Sequence, residues 1–192
     1  MEKIIYIQKI GEIDQAALTK LKKNLNPRFK EFIDKVKVSP DTISLEDSDY
    51  HKSRRQYNAS SIIRKLIKHV NNKEYFRTLG VMDNDIYTKQ LNFVFGIAIV
   101  PKPQFMKSEG VALISITRLR EIFYRREDDD TLFDLRVLKE AIHELGHTFG
   151  LRHCDNHCIM QFSNHLADTD KKPPEFCESC LKELKLIINT IK

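Results

Sequence analysis

The chain has 192 residues, 41% of them hydrophobic and 31% charged, with a net charge of +5. That length suits one domain with a buried core, and the 32 Lys and Arg are interleaved with 27 Asp and Glu, so a solvated surface is expected and a nucleic-acid partner is not. No run of about 18 apolar residues occurs, so no membrane span is expected; the start, Met1-Glu-Lys-Ile-Ile-Tyr-Ile, lacks the apolar core and cleavage pattern of an export signal, which predicts a cytoplasmic protein.

Residues 3–10 are β-branched and aromatic in character and predict a first strand. Asp14 is placed to cap a helix with Ala17, Leu18, Leu21 and Leu25 on one side, ending before Pro27. Phe32, Ile33, Val36 and Val38 predict a second strand, and the polar stretch Ser39 to Ser53, with Pro40, a long surface loop. Ser60 and Ser61 open a second helix whose apolar stripe is Ile62, Ile63, Leu66, Ile67 and Val70.

Tyr75 to Met82 predicts a third strand, Asp83-Asn84-Asp85 a turn, and Asn92 to Val100 the fourth and most strand-like run. Pro101 to Gly110 reads as a loop and Val111 to Thr117 as a fifth strand. Strands alternating with helices predict an α/β fold, an open twisted five-stranded sheet flanked by helices, with right-handed crossovers. The acidic run Glu127 to Asp130 reads as a helix start, where carboxylates meet the positive end of the dipole and its free amides. That helix begins near Thr131 and carries Phe133, Leu135, Leu138, Ile142, Leu145 and Phe149 toward the sheet.

Its last turns spell His143-Glu-Leu-Gly-His147-Thr-Phe-Gly-Leu-Arg-His153. On a helix His143 and His147 lie one turn apart on one face, with Glu144 beside them. Gly150 lets the chain leave in a left-handed turn and double back to present His153. Three imidazoles around a tetrahedral zinc leave one position open, the arrangement of a catalytic site. Five fixed residues at this spacing arise by chance in a chain of this length on the order of once in ten thousand.

All four cysteines follow residue 153. In a reducing compartment such clustering favours a metal over a disulfide. Cys154, Cys158, Cys177 and Cys180 can supply four thiolates to one structural zinc; a redox CxxC or a disulfide is the competing reading.

The extended histidine motif with Met160 downstream resembles the metzincin clan of zinc metallopeptidases. The chain is more closely similar to the archaemetzincin family, because Cys154, Cys158-Ile-Met160 and Cys177-Glu-Ser-Cys180 follow the third histidine. The resemblance implies a metzincin-like zincin fold, with a mixed sheet and a cysteine-rich zinc-binding C-terminal segment. It implies that His143, His147 and His153 bind a catalytic zinc, that Glu144 is the general base, and that Met160 lies in a turn beneath the metal. It further implies a second zinc on Cys154, Cys158, Cys177 and Cys180, hence two ions per chain, and a strand at 92–100 forming the exposed edge above the cleft.

Two departures stand out. The first cysteine pair is spaced one residue closer than in the family, which puts His157 within the loop as a competing ligand or a solvent-facing side chain. Phe162 occupies the position where some metzincins carry a transition-state Tyr, and Phe has no hydroxyl to donate. Met160, taken alone, also reads as core filler. Asp168 and Asp170 read as loop or capping residues, and Leu181, Leu184, Ile187, Ile188 and Ile191 predict a closing helix.

The expectation is therefore a monomeric zinc metallopeptidase acting on peptides or proteins. It forms one domain over 1–192, with 1–150 holding the sheet and active-site helix and 151–192 a zinc-binding subdomain. The competing class is a catalytically silent, zinc-stabilised binding module, because ligands alone do not demonstrate turnover.

Overall fold

A computed structural model describes residues 2–71, 73, 75–99 and 110–191. Strand β1 (Ile4–Ile10) lies inside the sheet and is buried on both faces, which is why its apolar residues do not simply alternate with polar ones. It pairs in parallel with β2 (Lys35–Ile43) and with β5 (Arg77–Met82). The order is β2-β1-β5-β8-β7; β8 (Val111–Ser115) is parallel to β5, and β7 (Gly96–Ile99) lies antiparallel to β8 at the edge. The mixed α/β sheet of five strands expected from the sequence is thus present.

Alternation along β8 divides the core. Ala112 and Ile114 join Ile5, Ile7, Leu79 and Val81 beneath α1 (Gln15–Phe29), α3 (Asp130–Thr148) and α5 (Glu178–Thr190). Val111 and Leu113 face the other way, with Ile10 and Met82, onto Ile62, Ile63, Leu66 and Val70 of α2 (Ala59–Val70). Each fully buried Leu or Ile contributes roughly 1.5–3 kcal/mol by leaving water. Asp14 caps α1 through the Ala16 amide, Asn58 caps α2, and Asp129 caps α3 through the Leu132 amide, so the acidic run does start that helix. No helix among the described residues is long and apolar enough to cross a membrane.

Several expectations change. Helix α1 runs through Pro27 to Phe29. Proline forfeits only the bond to the carbonyl of exposed Lys23, while fully buried Phe29 packs its ring 6.1 Å from Phe149 and 5.9 Å from Phe176 and holds the last turn. Phe32 and Ile33 belong to the turn before β2, and β2 itself continues across Pro40 to Ile43. The register jumps from Ile7↔Val38 to Lys9↔Thr42, and this bulge takes up the proline, with Gln8 Nε2 donating to the Asp41 carbonyl at 2.6 Å.

The remainder of the stretch read as a loop holds a short 3₁₀ turn at Asp47–Asp49 and β3 (Tyr50–His51). β3 pairs with β4 (Gln56–Asn58), and β4 with β6 (Ile86–Tyr87), in a small second sheet. Leu135 is exposed on the outer side of α3. Finally, β7 is shorter than the run that suggested it: the Phe95 carbonyl still accepts from Ser115 of β8, but the Val94 amide donates to Ile86 of the small sheet, so regular pairing with β8 starts only at Gly96. Val100 and the expected loop from Pro101 lie outside the described residues up to Gly110.

Candidate active site

Helix α3 is buried on nearly every side from Arg136 to Gly146. Three of its polar residues there, Arg136, Lys139 and Glu140, are held by α4 (Leu166–Lys171) and the residue after it. Arg136 forks onto Asp170 at 2.6 and 2.7 Å, Lys139 donates to the carbonyls of Thr169 and Asp170, and the Thr169 hydroxyl donates to Glu140 at 3.0 Å. Asp170 is therefore more than a loop residue, whereas Asp168 accepts the amides of Asn164 and His165 as a cap. This clamp fixes the rotation of α3, and so the direction in which His143 and His147 point.

The helix ends as its sequence requires. Gly150 has φ +94, its amide donates to the His147 carbonyl, and the Leu151 amide reaches back to Gly146. This is the paired closure of a left-handed helix stop. The chain then returns with His153, whose ring centroid lies 5.4 Å from that of His143 and 4.9 Å from that of His147. One nitrogen from each of the three rings falls within 4.8 Å of the others.

The hydrogen bonds fix the tautomers. His143 Nδ1 lies 2.9 Å from the Ile159 carbonyl and His147 Nδ1 2.7 Å from the Leu151 carbonyl. A carbonyl only accepts, so each Nδ1 carries the proton and each Nε2 presents a bare lone pair. The two Nε2 atoms are 3.1 Å apart. Lone pairs this close repel unless a cation lies between them, and neutral imidazoles with carbonyl-bound Nδ1–H are what a zinc ion takes. The donor set therefore fits zinc. Burial, then the Lys172 ammonium, holds His143 well below the usual histidine range; burial likewise lowers His147 and His153.

Glu144 is buried, and burial followed by the neighbouring Glu140 carboxylate pushes it well above the ordinary carboxylate range in the metal-free protein. Edge strand β7 passes directly over it: a Cβ added at Gly96 would lie 2.6 Å from Glu144 Cγ and 2.8 Å from Oε1. Leu91 to Ala98, Glu140, His143, Glu144, His147, His153, Phe162 to Asn164 and Lys172 enclose a cleft of about 460 Å³. Phe162 is half exposed on this cleft, its ring 4.9 Å from that of His153.

Met160 is fully buried against α3, and a Cβ at Gly146 would meet its sulfur at 2.5 Å. The turn that carries it also supplies the Ile159 carbonyl to His143 and accepts the Cys154 amide on the Met160 carbonyl at 3.0 Å. Cys154, Cys158, Cys177 and Cys180 form a second cluster with all four sulfurs within 4.8 Å. They are free thiols, Cys154 and Cys177 being 3.8 Å apart, so no disulfide joins them. Burial raises the Cys177 thiol, but the Cys180 amide and the Asn156 side chain outweigh it and bring Cys177 down to about 6; burial and the surrounding thiols push Cys180 up. His157 is exposed and belongs to neither cluster.

Sequence reasoning missed Glu140, Lys172 and Gly96. Gly96 carried a signal, since a glycine inside an otherwise strand-like run marks a close backbone or side-chain approach. Lys172, within Lys-Lys-Pro-Pro, carried none.

Residues 17–186 match the model of peptidase family M54. The chain belongs to that family. It is 39% identical to the archaemetzincin of Pyrococcus furiosus over 187 residues, covering 96% of this chain and 94% of the relative. Among solved structures, the archaemetzincin of Methanopyrus kandleri superposes with a TM-score of 0.79 at 34% identity, covering 98% of this chain and 96% of that one. The archaemetzincin of Archaeoglobus fulgidus, solved in complex with malonate, gives 0.75 at 37% identity, covering 94% and 99%. This M54 chain is accordingly a zinc metallopeptidase of archaemetzincin type, and the α/β fold anticipated from its sequence is the fold of that family.

Proposed function

We propose that this M54 peptidase hydrolyses peptide bonds at a zinc held by His143, His147 and His153, with Glu144 as general base, and that a second, structural zinc sits on Cys154, Cys158, Cys177 and Cys180. The observation that carries the first part is the facing of two unprotonated Nε2 atoms, 3.1 Å apart, on the wall of a cleft that also contains Glu144. Zinc in that position supplies Lewis acidity, lowering the pKa of water to about 7 and polarising a scissile carbonyl.

The chain's own groups do the rest. His143 and His147 are kept in one tautomer by the Ile159 and Leu151 carbonyls. Glu144 takes a proton from the attacking water on a carboxylate oxygen and passes it to the leaving amine. Gly96 leaves room for that carboxylate under the edge strand. The strand β7 has one ladder partner, β8, among the described residues, so an extended peptide can add to its other side through main-chain bonds. Phe162 offers no hydroxyl.

Four mutually close free thiols support the second zinc. The reading extends to one domain over residues 1–192, with 151–192 a subdomain fastened by that zinc, and to a cytoplasmic monomer in which the thiols stay reduced. An unbiased peptide-library digestion read by mass spectrometry tests the activity: chelator-sensitive cleavage is expected, and its complete absence would favour a silent binding module.

A further inference from the structure

The Lys172 side chain is 1% exposed, and it lines the cleft beside Glu140, His143 and Glu144. Its ammonium is 3.2 Å from Glu140 Oε1, an ion-pair distance, but that oxygen already accepts the Thr169 hydroxyl. Nζ makes no aligned hydrogen bond with any of the described residues. An ammonium has three N–H donors, and leaving them idle in a desolvated place is costly. Such a cation is built for an acceptor that arrives from elsewhere, and the open side of its surroundings is the cleft.

The rest of the wall narrows what that acceptor is. Phe93, Phe95, Ala98 and Phe162 present apolar surface, and Lys172 is the cleft's basic side chain among the described residues. With a dication on three neutral imidazoles, the Lys172 ammonium and the carboxylates of Glu140 and Glu144 leave one positive charge, which one further carboxylate cancels.

We propose that Lys172 recognises a carboxylate on the peptide, so that this M54 peptidase prefers substrates bearing an acidic group near the scissile bond. The proposal rests on the peptidase reading for its substrate class. The carboxylate belongs either to an Asp or Glu side chain or to a free C-terminus. A charge-assisted hydrogen bond in a dry site is worth about tenfold or more in affinity.

The test uses the zinc-loaded protein and synthetic peptide pairs that differ only in Glu against Gln at successive positions, or in a free against an amidated C-terminus. Wild type is expected to favour the carboxylate member of one pair about tenfold in kcat/KM, chiefly through KM, with that ratio falling to near one in Lys172→Met. Preference in the Glu/Gln pairs assigns a side chain; preference in the terminal pair assigns the C-terminus. A wild-type enzyme that treats all pairs alike overturns the proposal. So does a Lys172→Met variant that loses rate equally on both members, which would mark a structural or transition-state role.

If Lys172→Met does not fold, the double variant Glu140→Gln, Lys172→Gln removes both charges of the buried pair together, and the same ratio is read. Calorimetric binding of the pairs to zinc-loaded Glu144→Ala protein separates the two readings. Preferential binding of the carboxylate member that disappears when Lys172→Met is added, without any wild-type cleavage, defeats peptidase activity and upholds Lys172 as the carboxylate group; a preference that survives Lys172→Met assigns the carboxylate to the zinc and overturns the role of Lys172. Equal binding overturns the role of Lys172 whether or not the enzyme turns over.

Discussion

His143 Nε2 and His147 Nε2 face each other at 3.1 Å, and in both rings the proton is committed to a backbone carbonyl on the far nitrogen. The repulsion between these lone pairs is relieved only by a cation. Zinc is therefore expected to stabilise the metal-free protein: at a free concentration about a hundred times its Kd, by about 2.7 kcal/mol. For a chain of this size that corresponds to a rise in Tm of roughly 5–10 °C. Scanning calorimetry of chelated protein, with and without added zinc, measures it when wild type is compared with His153→Ala, whose cysteine site is still complete; equal shifts in the two would mean that the triad does not take the ion.

Cys154 is bonded to His153, and its amide donates to the Met160 carbonyl in the turn that also orients His143. Metal at the cysteines and metal at the histidines should therefore be coupled. Cys177→Ser is expected to lower zinc content from about two ions per chain to one, and to weaken the remaining site although Cys177 is not part of it. Competition with a chromophoric chelator reads the affinity, and an unchanged value at the histidines would show the sites to be independent.

Two glycines are spaces reserved for site residues. Gly146→Ala drives a Cβ toward the fully buried Met160 sulfur, and overpacking there should cost about 1–3 kcal/mol in denaturant unfolding. Gly96→Ala meets Glu144 instead, on a half-buried edge strand. It should leave Tm within a few degrees of wild type while kcat/KM falls by about tenfold or more, because even a small displacement of a proton-transfer group is costly. Equal losses of stability in both variants would contradict this division.

Asp49 is buried where α2 meets the 3₁₀ turn; burial raises its pKa, but the Lys65 ammonium and the Ser61 hydroxyl overcome that and hold it below the usual carboxylate value. A depressed folded value means stabilisation that is complete above the unfolded pKa of about 3.9 and lost as pH falls through the folded value. Asp49→Asn should be less stable than wild type by about 1–3 kcal/mol at pH 7. The gap should close below about pH 4. Urea midpoints across that range test it, and a gap independent of pH would show that packing and not charge is responsible.

The legible parts of this molecule are those written within a few residues. His143, His147, Gly150 and His153 are placed by one helix and its stop, so their spacing alone predicts that they converge. The caps at Asp14 and Asp129 are equally local. What eluded the sequence depends on a distant partner. Strand β2 crosses Pro40 because Gln8, on another strand, fills the bulge. Helix α1 outlasts Pro27 because Phe149 and Phe176 grip Phe29. Lys172 enters the cleft because α4 is clamped to α3 through Arg136 and Lys139, an arrangement that no periodicity in its own segment records.

Whether Glu144 moves the proton at a zinc held by the three histidines is decided by Glu144→Ala protein shown by metal analysis to retain its zinc. Cleavage of a peptide cut by wild type is expected to fall by about 10²-fold or more. Cleavage at the wild-type rate with zinc in place would contradict it.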